Sequence, residues 1–140
     1  MITSAQAQAR YGSPDSEKAM VLFHVPDALQ HGHIPARIYC NRDLVTPLTK
    51  AFENIHNRGL GEQIKTWDGC FQIRRKRGGG TPSLHSWGLA VDINAAWNGF
   101  GKKPAMGAEL VKAFTDAGFD WGGTWTKPDG MHFQLARFPA

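Results

Sequence analysis

The segment Ser83-Leu84-His85-Ser86-Trp87-Gly88-Leu89-Ala90-Val91-Asp92 is the part of the chain from which its architecture can first be inferred. Its second half, continued by Ile93, is an apolar run of strand length bounded by Gly88 and Asn94, and it predicts a buried β-strand over 90–93. Asp92 interrupts this run. Burying a carboxylate is costly unless it is paired or binds a metal. The segment therefore predicts a strand that carries a functional aspartate.

Two histidines extend this hypothesis. His85 lies in a turn just before the predicted strand, and His132 begins a second apolar run, Met131 to Leu135. Two histidines and one carboxylate suit zinc and leave one coordination position open. His85, Asp92 and His132 can converge if the two strands are neighbours. As an isolated pair, His85 and Asp92 would more simply be a loop histidine and a strand-end carboxylate without function.

Asp129 lies three residues before His132, in Pro128-Asp129-Gly130. An aspartate in such a sequence usually serves the turn itself. Its position also allows a second interpretation, as a general base beside an open metal position.

Size and composition predict one globular domain over residues 1–140, with an N-terminal extension over about 1–18. The chain has 41% hydrophobic and 20% charged residues, which is ordinary for a globular protein. No apolar run approaches the ~18 residues of a transmembrane helix. The N-terminus lacks the basic and apolar regions of a signal peptide, so we expect synthesis in the cytoplasm, or a trimmed chain.

The net charge of +4 and the pI of about 9.3 favour either simple solubility or an anionic partner. The only dense basic cluster, Arg74 to Arg77, is followed at once by Gly78-Gly79-Gly80. No aromatic interleaving and no helix-turn-helix pattern accompany it, so nucleic acid is not the expected partner. Cys40 and Cys70 each end an apolar run, which favours free buried thiols over a disulfide bridge.

The remaining pattern predicts segregated strands and helices, hence an α+β fold with a small antiparallel sheet and helices packed on one side. The predicted helices cover about 1–15, 44–57 and 108–117. The predicted strands cover 20–25, 34–40, 64–67, 70–73, 90–93 and 131–135.

The chain resembles a family of zinc peptidases that includes D-alanyl-D-alanine carboxypeptidases of the VanX and VanY type and the L-alanyl-D-glutamate endopeptidases of bacteriophage endolysins. The resemblance spans roughly residues 35–136. It rests on three patterns in this sequence: Ser83-x-His85-x-x-Gly88-x-Ala90-x-Asp92 with Asp129-x-x-His132; Gly69-Cys70-Phe71-Gln72-Ile73-Arg74-x-x-Arg77-Gly78; and Trp121-Gly122-Gly123-x-Trp125. The combination is specific, whereas each short motif alone is weak.

The resemblance implies a role for each matching residue. The implied zinc ligands are His85, Asp92 and His132, and the implied general base is Asp129, where other branches carry glutamate. Arg74 matches the catalytic arginine, although Gln72-Ile73 replaces the usual Asn-Pro before it. Arg77 and Ser83 are expected in substrate binding. We expect the end of a strand to hold Arg74, and Arg77, beside Gly78, to be looser.

The implied fold is that of the Hedgehog signalling domain and the D,D-peptidases. The implied function is zinc-dependent hydrolysis of peptidoglycan stem peptides by a monomer. Without a signal peptide, the chain suits a bacteriophage endolysin that is made in the host cytoplasm, cleaves the L-alanyl-D-glutamate bond at the cell wall and causes lysis. The alternatives are a D-alanyl-D-alanine carboxypeptidase, a zinc-bearing cell-wall-binding module without catalysis, and a basic nucleic-acid-binding domain.

Overall fold

Three α-helices and six short β-strands form the regular structure of the computed structural model, which describes residues 1–140. The helices are α1 (Ser4–Tyr11), α2 (Val45–Asn57) and α3 (Ala108–Thr115). The strands are β1 (Met20–His24), β2 (Arg37–Asn41), β3 (Trp67–Gly69), β4 (Ala90–Ile93), β5 (Phe119–Trp121) and β6 (His132–Leu135). Strands β1 and β2 pair with each other in an antiparallel arrangement, with Leu22 opposite Tyr39.

The other four strands form an antiparallel sheet in the order β3-β4-β6-β5. Because side chains alternate along a strand, each central strand has two different faces. Val91 lies opposite Phe133, and these apolar side chains share one face with Ile93 and Leu135. Asp92 lies opposite His132 on the other face.

Helices α2 and α3 pack against the apolar face of this sheet. The ring of Phe114 in α3 stacks on Phe133 with centroids 4.4 Å apart. Phe52 in α2 meets the edge of Trp67, the cross-strand partner of Ile93, at 5.9 Å. The predicted α+β class, with helices on one side of a small antiparallel sheet, is confirmed. Because the helices cover the apolar face of the sheet, the polar residues of β4 and β6 face away from the helices.

Helix α1 packs next to the turn that carries His85. Its Tyr11 is buried and donates a hydrogen bond to Asp43 Oδ2 at 2.6 Å. Gly12, directly after the helix, accepts a hydrogen bond from Trp87 Nε1 at 2.9 Å. The N-terminal segment thus contributes to the same hydrophobic core as the sheet.

Three features of the predicted strand pattern are wrong. The strand predicted over 64–67 overlaps β3 (Trp67–Gly69) only at Trp67. Residues 70–73 do not form a strand, and β5, which the sequence analysis missed, completes the sheet. The pairing of β3 with β4 shifts register between Trp67 and Gly69, and the chain then leaves the sheet, so that Gln72 N donates to His85 O at 3.1 Å.

The cysteines are free and buried, as predicted. Burial raises the pKa of Cys40 to about 12. None of the helices combines the length and the apolar character that a membrane span requires.

Candidate metal centre

Three elements bring the predicted ligands together. Asp92 in β4 and His132 in β6 are direct cross-strand partners, so their side chains lie side by side on the face opposite the helices. His85 belongs to a 3₁₀ turn, Leu84–Trp87, whose first residue follows the capping residue Ser83. Ser83 Oγ accepts a hydrogen bond from His85 N at 3.3 Å.

Gly88 ends this turn in a left-handed conformation with φ of 66°. A Cβ atom at Gly88 would lie only 2.7 Å from Asn41 N. The turn therefore needs glycine for its backbone angle and for its close contact with the hairpin.

The three candidate ligand atoms lie within 4.8 Å of one another. His85 Nε2 is 3.1 Å and His132 Nδ1 is 3.5 Å from Asp92 Oδ1. The two ring nitrogens are 3.2 Å apart. All three side chains are buried, with residue exposures of 5% or less.

Hydrogen bonds on the far side of each ring define which nitrogen faces the cluster. His85 Nδ1 donates to Cys70 O at 2.6 Å, and His132 Nε2 donates to Gln134 Oε1 at 2.9 Å. A neutral imidazole carries only one N–H. Consequently His85 Nε2 and His132 Nδ1 direct lone pairs toward Asp92 Oδ1, a buried oxygen without a hydrogen-bond partner.

Three converging acceptors without a donor can hold a cation. Two imidazole nitrogens and one carboxylate oxygen match the ligand preference of zinc in a site with an open fourth position. Burial by itself would raise the pKa of Asp92, but the imidazoles of His132 and His85 beside it hold the pKa well below the usual aspartate range.

Arg77 links the two carboxylates of the site. Its Nη2 donates to Asp92 Oδ2, and its Nη1 donates to Asp129 Oδ2 at 2.6 Å. Burial lowers the pKa of Arg77, but the charges of Asp92 and Asp129 more than offset this effect and raise it overall. The expectation that Arg77 is loose is wrong, because two buried carboxylates hold its guanidinium.

Arg74 lies farther from the carboxylates, with Nη2 3.5 Å from Asp92 Oδ2. No strand end holds it, contrary to expectation. Instead, Ser86 Oγ accepts from Arg74 N at 3.2 Å and donates to Arg74 O at 3.0 Å. Its side chain donates from Nε to Gln72 Oε1 at 3.2 Å. Gln72, one of the departures from the family pattern, therefore orients the arginine.

Asp129 is buried beside this cluster, and its Oδ1 has no hydrogen-bond partner. Its backbone N donates to Gly122 O at 2.9 Å, and its backbone O accepts from His132 N at 3.1 Å. A Cβ atom at Gly122 would lie 2.5 Å from Asp129 O, so glycine is needed there for the aspartate to come so close.

A cavity of about 380 Å³ opens onto the cluster. Its apolar lining includes Ile2 and Trp125, whose ring centroid is 5.4 Å from that of His132. Its polar lining includes Ser83, Asp129 and His132 together with four cationic side chains, namely Arg74, Lys76, Arg77 and Lys127. All seven residues predicted for the site thus lie at the cluster or along the cavity.

Sequence reasoning missed three contributors: Gln134, Ser86 and the carbonyl of Cys70. Gln134 could have been found, since a residue two positions after His132 on a strand shares its face. The other two could not, because their contacts join segments that are distant in the sequence.

Searches of curated proteins and of solved structures found no match. A family model matches the segment of the chain that contains Arg77, Ser83, Asp129 and the three candidate ligands. This match supports the interpretation of the protein as a peptidase. That segment, residues 77–135, matches the family described as D-alanyl-D-alanine carboxypeptidase.

Proposed function

We propose that the protein is a zinc-dependent peptidase that hydrolyses peptidoglycan stem peptides. The observation that carries this proposal is the convergence of His85 Nε2, His132 Nδ1 and Asp92 Oδ1 beside the unpartnered Oδ1 of Asp129. A structural zinc site would have four protein ligands. Here three ligand atoms meet at the edge of a cavity, where a substrate can approach.

The chain supplies the ligands, the base and the positive charge that such a hydrolysis needs. When bound, zinc would acidify a water molecule and polarise the scissile carbonyl. Asp129 Oδ1, free to accept a proton, takes one from the attacking water and returns it to the leaving amine. Arg74 has donors to spare for a substrate carboxylate or for the developing oxyanion. Arg77 keeps Asp92 and Asp129 in fixed relative positions.

The charge of the cavity favours stem peptides over neutral ones. Four cationic side chains line it, and Asp92 and Asp129 together offset only part of their charge. Stem peptides carry free carboxylates that these cations attract. Ser83, at the cavity wall, and Arg77 complete the substrate-binding set in this proposal.

For the biological role, we propose a bacteriophage endolysin that cleaves the L-alanyl-D-glutamate bond, since lysis requires cutting cross-linked peptides rather than trimming their ends. In this role, residues 1–140 form one zinc peptidase domain, monomeric, made in the host cytoplasm and active at the cell wall. The matched family description favours a second candidate, a D-alanyl-D-alanine carboxypeptidase. A non-catalytic zinc module is disfavoured because Asp129 and Arg74 are present at the site.

The decisive experiment separates metal binding from catalysis with two variants. We expect His132→Ala to lose both zinc and hydrolysis, because one ligand is gone. We expect Asp129→Asn to keep stoichiometric zinc while turnover falls by on the order of 10²-fold or more, the scale of losing a general base. Asp116→Asn, which alters a surface pair with Lys112 and Arg58, is the matched control. Zinc retained by His132→Ala, or normal turnover in Asp129→Asn, would refute these assignments.

Mass spectrometry of the digested muropeptides then identifies which peptide bond the protein cleaves. Fragments ending in L-alanine indicate the endopeptidase, whereas loss of only a terminal D-alanine indicates the carboxypeptidase. Intact muropeptides with zinc-loaded protein would contradict both.

A further inference from the structure

Of the two candidate histidine ligands, His132 is the one whose far ring nitrogen meets a side chain, that of Gln134. It lies two residues after His132 in β6, on the same face of the sheet, and only 5% of its surface is exposed. Its Oε1 accepts the hydrogen bond from His132 Nε2 at 2.9 Å. Ala90, its cross-strand partner in β4, offers only a methyl group on that face.

The two histidines differ in how they are oriented. His85 donates to a backbone carbonyl, that of Cys70, so its partner does not depend on a side chain. His132 depends on a side-chain amide that can present either an acceptor or a donor. The orientation of the Gln134 amide can therefore decide which ring nitrogen of His132 carries the proton. No side chain has this influence on His85.

That consequence concerns the position of one proton. With the amide oxygen toward the ring, the proton of neutral His132 stays on Nε2, and Nδ1 presents a lone pair to the cluster. With the amide reversed, Nε2 would have to accept, and the proton would move to Nδ1. The N–H would then point at His85 Nε2, 3.2 Å away, and occupy the space of a metal ion.

We propose that Gln134 is a positioning residue that holds His132 in its metal-binding tautomer and thereby sets metal affinity. This inference rests on the proposed metal centre, although Gln134 touches the ligand and not the metal. Partners of this kind orient metal-bound histidines generally, and their loss lowers metal affinity by roughly 10–100-fold.

Two substitutions at Gln134 and one control test the proposal. Gln134→Leu removes the acceptor at similar size, and we expect zinc affinity, measured by competition with a chelator, to fall by roughly 10–100-fold. Gln134→Glu offers only acceptors at neutral pH, so affinity should be equal to that of the parent or higher. Asn54→Leu removes another buried amide, which donates to Ala113 O at 2.9 Å between helices α2 and α3. That control should lose stability but keep its zinc affinity.

Nitrogen-15 NMR of the metal-free protein, at alkaline pH where imidazole is neutral, reads the tautomer directly. His132 should carry its proton on Nε2 in the parent and in Gln134→Glu, and shift toward the Nδ1–H form in Gln134→Leu. A parent tautomer with the proton on Nδ1, or equal zinc affinity in Gln134→Leu and the parent, overturns the inference. If the parent chain binds no zinc, the proposed metal centre is refuted. The His132 tautomers measured by NMR in the parent and in Gln134→Leu then still test whether Gln134 positions the ring.

Discussion

Arg77 has an unusual position for an arginine expected to contact substrate, because both of its terminal nitrogens are already occupied by carboxylates. Asp92 directs one oxygen toward the candidate metal cluster and the other toward Arg77. Asp129 shares its own Oδ2 with the same guanidinium. The guanidinium of Arg77 thus joins Asp92, a candidate ligand, to Asp129, the proposed base. A substitution at Arg77 is therefore expected to displace both carboxylates.

This geometry predicts different outcomes for the two arginines. Arg77→Lys should lower both zinc affinity and turnover, because a single ammonium cannot reproduce the planar, two-pronged contact. Arg74→Lys should lower kcat/KM while zinc affinity stays near that of the parent, because Arg74 lies 3.5 Å from Asp92 and is oriented by Gln72. Chelator competition and steady-state kinetics on one stem peptide would check both. Equal losses of zinc affinity would contradict the distinction.

At the scale of elements, the segment between β5 and β6 controls where Asp129 lies. Gly122 begins the short 3₁₀ turn after β5, and its carbonyl accepts from Asp129 N. The missing Cβ of Gly122 leaves room for the backbone of Asp129.

Gly122→Ala should therefore displace Asp129, since the new methyl group would lie 2.5 Å from backbone rather than from a flexible side chain. We expect turnover to fall by about tenfold or more while zinc remains bound, as small misplacements of catalytic groups are costly. Gly118→Ala is the control: its φ of 105° makes alanine strained, but no atom lies near the added Cβ. The control should lose thermal stability and keep its turnover per folded molecule; a similar loss of turnover in both variants would indicate general destabilisation.

Element-scale features differ in how far the sequence predicts them. Strand β4, helix α2 and the turn around His85 follow from local apolar patterns, and the structure contains them with similar bounds. The three-residue strand β5 is too short to show a period of its own. Residues 70–73 are apolar in part but pair with the His85 turn rather than with the sheet. That pairing and the ion pair between Asp129 and Arg77 both join segments that are distant in the sequence, so local patterns do not predict them.

At the scale of the whole molecule, the candidate metal centre joins strands β4 and β6 to the turn that carries His85. Through Arg77 it also contacts the basic segment Arg74 to Arg77. An ion that binds the folded chain and not the unfolded chain stabilises it by about 2.7 kcal/mol when present at 100 times its Kd. We therefore expect zinc to raise Tm, and a chelator to restore the metal-free value.

The increase in Tm should shrink as the pH falls, because protons compete for the two imidazole nitrogens and the carboxylate. In His132→Ala, zinc should leave Tm unchanged. Differential scanning calorimetry with and without zinc would check both expectations, and an equal increase in parent and variant would show that zinc binds elsewhere.

Strands β4 and β6 have a consequence for how this protein can be altered. The alternation that places Val91 and Phe133 under the helices also places Asp92 and His132 in the candidate metal cluster. Shifting either strand by one residue would exchange the two sets, burying a carboxylate or an imidazole among aromatic rings. An insertion or deletion within β4 or β6 would therefore disturb the candidate site and the hydrophobic core together.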